Sequence, residues 1–418
     1  MNNMDKEKKI YVYADFLSYS DVKIGTIFVS FSGGREIYAF EYDTDWLKQN
    51  NPLLDPDLML FRGRHYLSGD KNIFGMFADS CPDRWGRKLL NRREEIRARE
   101  CVERPRKLLE SDYLLGVYDE SRMGGLRFKT DPDGDYLSSD KECSTPPWTS
   151  LRELEQASLA FEKDSDSVDE KWLRQLIAPG SSLGGARPKA SVVAPNGSLW
   201  IAKFPSRHDD IDSGAWEMVV HDLASMCGLT VPEALTERFT DLGTTFLVKR
   251  FDRQLGKRIH FSSAMNMLGK TDGANAADGS SYLEIVSFIR ANGARPEKDL
   301  EELWKRIVFS MNVSNTDDHF RNHGFLLSES GWILSPMYDV NPDMYGEFLS
   351  LNVNETDSAI DVDLAVDSAR YYGIKGERAR ELSAEISGIV SQNWEKLAKR
   401  YGIKRGEIER MRSAFRYV

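Results

Sequence analysis

Between Ser314 and Val340 the chain reads SNTDDHFRNHGFLLSESGWILSPMYDV. Two acids, Asp317 and Asp318, are followed by His319 and, five positions after Asp317, by Asn322. Carboxylate and amide oxygens are the hard donors that Mg²⁺ takes. A carboxylate within reach of a hydroxyl can also accept its proton. The run GFLL-SESG-WILS reads as strand, turn, strand, so a hairpin folding back delivers Tyr338 and Asp339 beside Asn322. One acid is then available as a base, while Asn322 and Asp339 share a metal ion. Taken alone, Thr-Asp-Asp equally suits a helix cap. His319 and His323 are spaced like two zinc ligands, but no third ligand is near and the glutamate of H-E-x-x-H is missing, which disfavours zinc.

Phosphate chemistry would need further parts upstream. Ser181 to Ala190 reads SSLGGARPKA, with Gly184 and Gly185 where backbone amides could approach phosphates. It is neither G-x-G-x-x-G nor a Walker loop. Two strands follow, KASVVA and LWIAKF, and the second carries Lys203. Glu217 opens the next helix, about Ala215 to Met226, from where it could pair with Lys203. Each feature has a bland reading: an ordinary turn, an edge-strand lysine, a first-turn acid favoured by the helix dipole. Their order is more telling. Glycine loop, strand lysine, helix glutamate, connecting strand, Asp/Asn loop and hairpin aspartate is the arrangement by which protein kinases hold ATP.

The elements that must position these residues suggest an α+β chain. KKIYVYADF, IGTIFVSF and REIYAFEY are strand-like, with a hairpin turn at SGG. FGMFADSCPDRWGRKLLNRREEIRAR then turns helical, with Trp85, Leu89 and Leu90 at helical spacing, and the basic run Arg92 to Arg106 reads as a solvated face. Residues 128–148 have loop composition, a polar helix is expected from Ser150 to Asp164, and KWLRQLIAPG is a short helix stopped by Pro179 and Gly180. TTFLVKRFDR gives one more strand; after Arg253 the chain is mostly helical. A β-rich half followed by a helical half is α+β. The expected division is 1–110, 111–253 with the glycine-rich loop, and 254–418 with the acid-rich motifs.

Composition bounds the partners. The 418 residues suit two or three domains, and 41% hydrophobic with 29% charged residues is a globular balance. A net charge of −10 argues against a DNA-binding or membrane-surface domain, which needs concentrated positive charge. Cys81, Cys101, Cys143 and Cys227 form no C-x-x-C pair and suit free thiols in a reducing cytoplasm. No apolar run reaches the roughly 20 residues that span a bilayer. The charged N-terminus lacks the apolar core of a secretory signal.

At these motifs the chain resembles the HipA family, the serine/threonine-kinase toxins of bacterial type II toxin–antitoxin systems. The resemblance covers nearly the whole chain. FADSCPDRWGRKLL looks like the family's N-terminal signature, SSLGGARPKA its glycine-rich loop, FLVKRFDR its hinge strand, and NTDDHFRNHGFLL with PMYDV its catalytic and metal motifs. It implies a two-lobed protein-kinase-like fold with a small N-terminal β-rich subdomain and a mostly helical C-lobe. It implies Asp317 as catalytic base, Asn322 and Asp339 as Mg²⁺ ligands, and Lys203 on the ATP phosphates. Gly184, Gly185, Ala186, Arg187, Pro188 and Lys189 would cover the phosphates. Lys249, Arg250 and Phe251 would meet adenine, and His319 and Tyr338 would line the nucleotide site. Ser182 falls at the family's autophosphorylated serine, with Ser181 beside it as the alternative. Phosphate there would add nearly two negative charges beside ATP and switch the kinase off.

The resemblance further implies a HipB-like helix-turn-helix antitoxin that carries most of the DNA binding. The family's studied targets are aminoacyl-tRNA synthetases, glutamyl-tRNA synthetase above all. The loop departs from pattern at Arg187-Pro188, where proline removes a backbone donor. Two other readings belong to different classes: a kinase fold kept as a co-repressor or binding module, and a small-molecule kinase. The intact Asp317, Asn322, Asp339 and Lys203 count against the first, and the large N-terminal region counts against the second.

Overall fold

A computed structural model describes residues 7–49, 51–67, 69, 71–139, 144–163, 173, 176 and 185–415. The chain forms two compact units, Met1–Ala202 with Asp252–Ser262, and Lys203–Phe251 with Ser263–Val418.

The first unit is built on an antiparallel sheet of five strands, in the order Arg64–Tyr66, Arg35–Tyr42, Val22–Ser32, Lys8–Ala14, Leu126–Lys129. Gly33 and Gly34 make the tight turn between its longest strands, both at positive φ (57° and 80°), as a type I′ hairpin requires. The register puts Ile10 opposite Ile27, Ile27 opposite Phe40 and Val12 opposite Phe128, so one face is apolar. Phe77 packs against that face, 5.6 Å from the Phe40 ring and 6.0 Å from the Phe128 ring.

The helical stretch expected after residue 74 is divided. A single turn, Gly75–Ala78, is separated from the Arg84–Glu100 helix. Pro82 brings no N–H, and Asp83 restarts the helix as its N-cap, accepting from the Gly86 amide at 2.9 Å. The expected solvated basic face is also revised, because Arg92 and Glu94 are buried and Glu94 accepts two hydrogen bonds from Arg97. Leu126–Lys129 is a strand up to the start of the expected loop, since Leu126 and Phe128 fill the core while their backbone pairs with Lys8–Ala14. The Leu151–Lys163 helix matches its expected span within two residues, whereas KWLRQLIAPG lies almost wholly outside the described residues. Strands Lys189–Val193 and Leu199–Lys203 lead out of this unit.

The second unit holds the Ser213–Met226 helix and an antiparallel pair, Ala234–Thr240 and Gly243–Lys249. The first of these strands was not expected, because ALTERFT is polar and only half-buried. Helices Tyr282–Asn292, Pro296–Asn312, Gly376–Arg400 and Arg405–Met411 follow. Ser281 and Glu284 form a capping box on the first, and Pro296 opens the second. Between them and the later helices lies the expected hairpin, Gly324–Ser328 against Gly331–Leu334, with Phe325 opposite Leu334. Among the described residues no helix is long and apolar enough to cross a membrane.

Candidate active site

The centre of the site is a buried lysine. Lys203 Nζ lies 2.5 Å from a Glu217 carboxylate oxygen and 2.6 Å from Asp339 Oδ1. Burial alone would lower the pKa of this ammonium, but the carboxylates of Asp339 and Glu217 outweigh it and hold the pKa above its usual value.

Glu217 is placed by the first turns of the Ser213–Met226 helix. Asp212 caps that helix and also accepts from the Thr244 amide at 2.9 Å. A Cβ on Gly214 would sit 2.0 Å from the Thr244 carbonyl oxygen, so only glycine lets the helix press this closely on the strand. At the next turn the Trp216 indole donates to Glu407 at 2.7 Å, joining the helix start to the Arg405–Met411 helix. Asp339 arrives from the hairpin as expected, with left-handed backbone at φ 57°. Such a conformation costs a non-glycine residue on the order of 1 kcal/mol or more and concentrates at functional sites.

The acid-rich loop separates its two aspartates. The Asp317 side chain is 86% exposed, and His319 Nε2 stands 3.8 Å away. The Asp318 side chain is buried; it accepts from the Tyr282 hydroxyl at 2.8 Å and the Ser310 hydroxyl at 3.4 Å. His323 Nε2 approaches it to 3.0 Å without the alignment of a hydrogen bond. Burial would raise the Asp318 pKa, but His323 and the Tyr282 hydroxyl outweigh it and hold it below the ordinary carboxylate value. Asn322, in a single 3₁₀ turn, donates its amide to the Asp317 carbonyl at 2.7 Å, which leaves its Oδ1 as the oxygen suited to a cation.

Among the remaining sequence-derived positions, Tyr338 donates its hydroxyl to the Arg321 carbonyl at 2.7 Å and lies 5.6 Å from the Phe251 ring. Arg250 is buried, and the Lys249 ammonium lies 3.0 Å from the Glu233 carboxylate. In the glycine-rich loop, Gly185 and Ala186 are exposed and Arg187 is half-buried. Lys189 is not presented to solvent; its ammonium pairs with Asp83 at 2.7 Å. Gly184, Ser181 and Ser182 lie outside the described residues.

Sequence reasoning missed the cage of Tyr282, Ser310 and His323 around Asp318, and the partners of Lys189. The doubled acid was the only local signal for the first. Among the described residues no group of three or more His, Cys, Asp or Glu could hold a metal ion.

The family model of the HipA-like C-terminal domain matches residues 181–409, and that of the HipA N-terminal domain matches residues 17–107. Among solved structures, a chain of the Shewanella oneidensis MR-1 toxin–antitoxin complex of HipA, HipB and operator DNA is 17% identical. That match covers 98% of this chain and 96% of that one at a TM-score of 0.69. A Helicobacter pylori proinflammatory kinase, CtkA, is 15% identical over 51% of this chain and 94% of its own, at a TM-score of 0.34. Comparison with curated proteins gives no match.

Proposed function

The chain belongs to the HipA family, and we propose that it is an ATP-dependent serine/threonine protein kinase serving as the toxin of a type II toxin–antitoxin pair. The observation that carries this reading is Lys203 held between Glu217 and Asp339, in the same unit as an exposed Asp317 whose neighbour Asp318 is locked in the core.

In this reading Asn322 Oδ1 and the Asp339 carboxylate would hold Mg²⁺, which would supply charge to neutralise the phosphates. Asp339 would then turn from Lys203, and the freed ammonium, still oriented by Glu217, would meet phosphate oxygens. The peptide groups of Lys249, Arg250 and Phe251 face adenine, with Tyr338 and His319 lining the pocket. Gly184 to Lys189, Pro188 excepted, would supply backbone amides over the phosphates. A serine or threonine hydroxyl gives its proton to the Asp317 carboxylate as its oxygen bonds the γ-phosphorus; the bridging bond to the β-phosphate breaks and ADP leaves. Exposure of Asp317 suits a base that must reach a second macromolecule.

The acceptor is a cellular protein of the translation apparatus, an aminoacyl-tRNA synthetase by family resemblance. Ser182, or Ser181, is the self-modified residue that turns the enzyme off. A HipB-like helix-turn-helix protein neutralises it, as HipB accompanies HipA in the Shewanella complex. The net charge of −10 suits DNA contact made mainly through that partner. Labelled γ-phosphate offered with Mg²⁺ and a bacterial lysate tests the reading. Wild type should label a discrete protein and itself, and Asp317→Ala should label neither; equal labelling by both would overturn it.

A further inference from the structure

The ion pair between Asp83 and Lys189 joins residues 106 positions apart, with side chains 2% and 4% exposed. Pairs this dry carry a desolvation cost that apolar residues of the same size avoid, so stability alone is a poor reason for one. Its geometry is more informative. Asp83 uses one oxygen on the Gly86 amide and the other on Lys189. The Lys189 ammonium also donates to the Gly185 carbonyl at 2.9 Å, closing the five residues of the glycine-rich loop on themselves. The Trp85 indole donates to the Lys189 carbonyl at 3.0 Å. The loop end is thus bound through side chain and backbone to the first turn of the Arg84–Glu100 helix.

That helix is itself anchored. Arg87 reaches Glu110 through two hydrogen bonds of 2.8 and 2.7 Å. Arg122, fully buried, donates to the Ser80 carbonyl just before the cap and to the Val117 carbonyl. The Trp85 ring meets Phe161 edge-on at 5.4 Å. A displacement of the helix start therefore displaces Gly185 to Lys189.

We infer that Asp83, Trp85 and Lys189 are positioning residues through which the N-terminal region shapes the glycine-rich loop for nucleotide. The inference rests on the kinase reading above, and it assigns the Lys189 side chain to loop geometry and not to phosphate. Loop amides displaced by a fraction of an ångström lose aligned contacts to phosphate, whereas the carboxylate base is unaffected. ATP affinity and KM should move while kcat stays.

The test compares wild type with the double variant Asp83→Asn/Lys189→Met. Asparagine keeps the cap on Gly86, and both charges of the pair are removed together. The double variant should unfold at the wild-type temperature or above, yet bind ATP with Mg²⁺ about tenfold more weakly or worse. Its KM for ATP should rise in parallel, with kcat within about threefold. A folded double variant with wild-type ATP affinity overturns the inference and leaves the kinase reading standing. A wild-type protein that binds no ATP overturns both. Should the double variant fail to fold, Trp85→Phe decides: it keeps an aromatic ring near Phe161 and removes the indole donor along with some ring volume. It should raise the KM for ATP several-fold with kcat held, and an unchanged KM overturns the inference.

Discussion

Lys189 and Lys203 open and close successive strands, and both are buried, yet they keep different company. Lys189 has one carboxylate, that of Asp83, and one backbone carbonyl. Lys203 has two carboxylates, Glu217 at 7% side-chain exposure and Asp339 at 21%. The first pair sets one lysine against one carboxylate. In the second, one lysine meets two carboxylates, and the more exposed of them, Asp339, sits on left-handed backbone. A lysine in the first setting is a strut. In the proposed kinase reading, the lysine in the second would exchange one acid for a phosphate while that acid takes a metal ion. Burial, charge and sequence type alone do not separate the two; the number and exposure of the partners do.

The largest effect should come from removing the exchangeable lysine. Lys203→Met removes the ammonium shared by Glu217 and Asp339, and phosphoryl transfer should fall about a thousandfold. Chemical denaturation should show a loss of about 3 kcal/mol, the usual cost of breaking a buried pair by deleting one partner. Transfer at the wild-type rate would place Lys203 with Lys189 as a strut and erase the distinction.

A smaller effect should separate Asp317 from Asp318. Asp318→Ala leaves the Tyr282 and Ser310 hydroxyls without their acceptor and should cost about 2 kcal/mol, while Asp317→Ala, an exposed substitution, should stay within about 0.5 kcal/mol. The pH dependence follows from the lowered Asp318 pKa. A carboxylate depressed on folding contributes stability above its unfolded pKa and loses it as pH falls through the folded value. The gap between wild type and Asp318→Ala should therefore be full at pH 7 and shrink below about pH 4. Denaturation midpoints at the two pH values check it; a gap that widens in acid contradicts the assignment.

Much of the site could be read from the chain because its parts are local. Asp317 and Asn322 share one loop, Asp339 follows a hairpin of obvious pattern, and Glu217 lies one helix start beyond the Lys203 strand. What stayed hidden depends on distant contacts. The Lys203–Asp339 contact spans 136 positions, and the Asp83–Lys189 pair 106. Which of two adjacent aspartates is buried is decided by Tyr282 and Ser310, on helices that precede the loop. The strand Ala234–Thr240 was missed for the same reason: its polar side chains show no alternation, and backbone pairing with Gly243–Lys249 makes it a strand.

The central claim is that Asp339 leaves Lys203 for a metal ion that comes with ATP. Titration calorimetry of wild type and Asp339→Asn with ATP, in magnesium and in EDTA, tests it most directly. Wild type should bind ATP at least about tenfold more tightly with magnesium, a difference of about 1.4 kcal/mol, and Asp339→Asn should lose that difference. Equal wild-type affinity in magnesium and in EDTA would contradict the account.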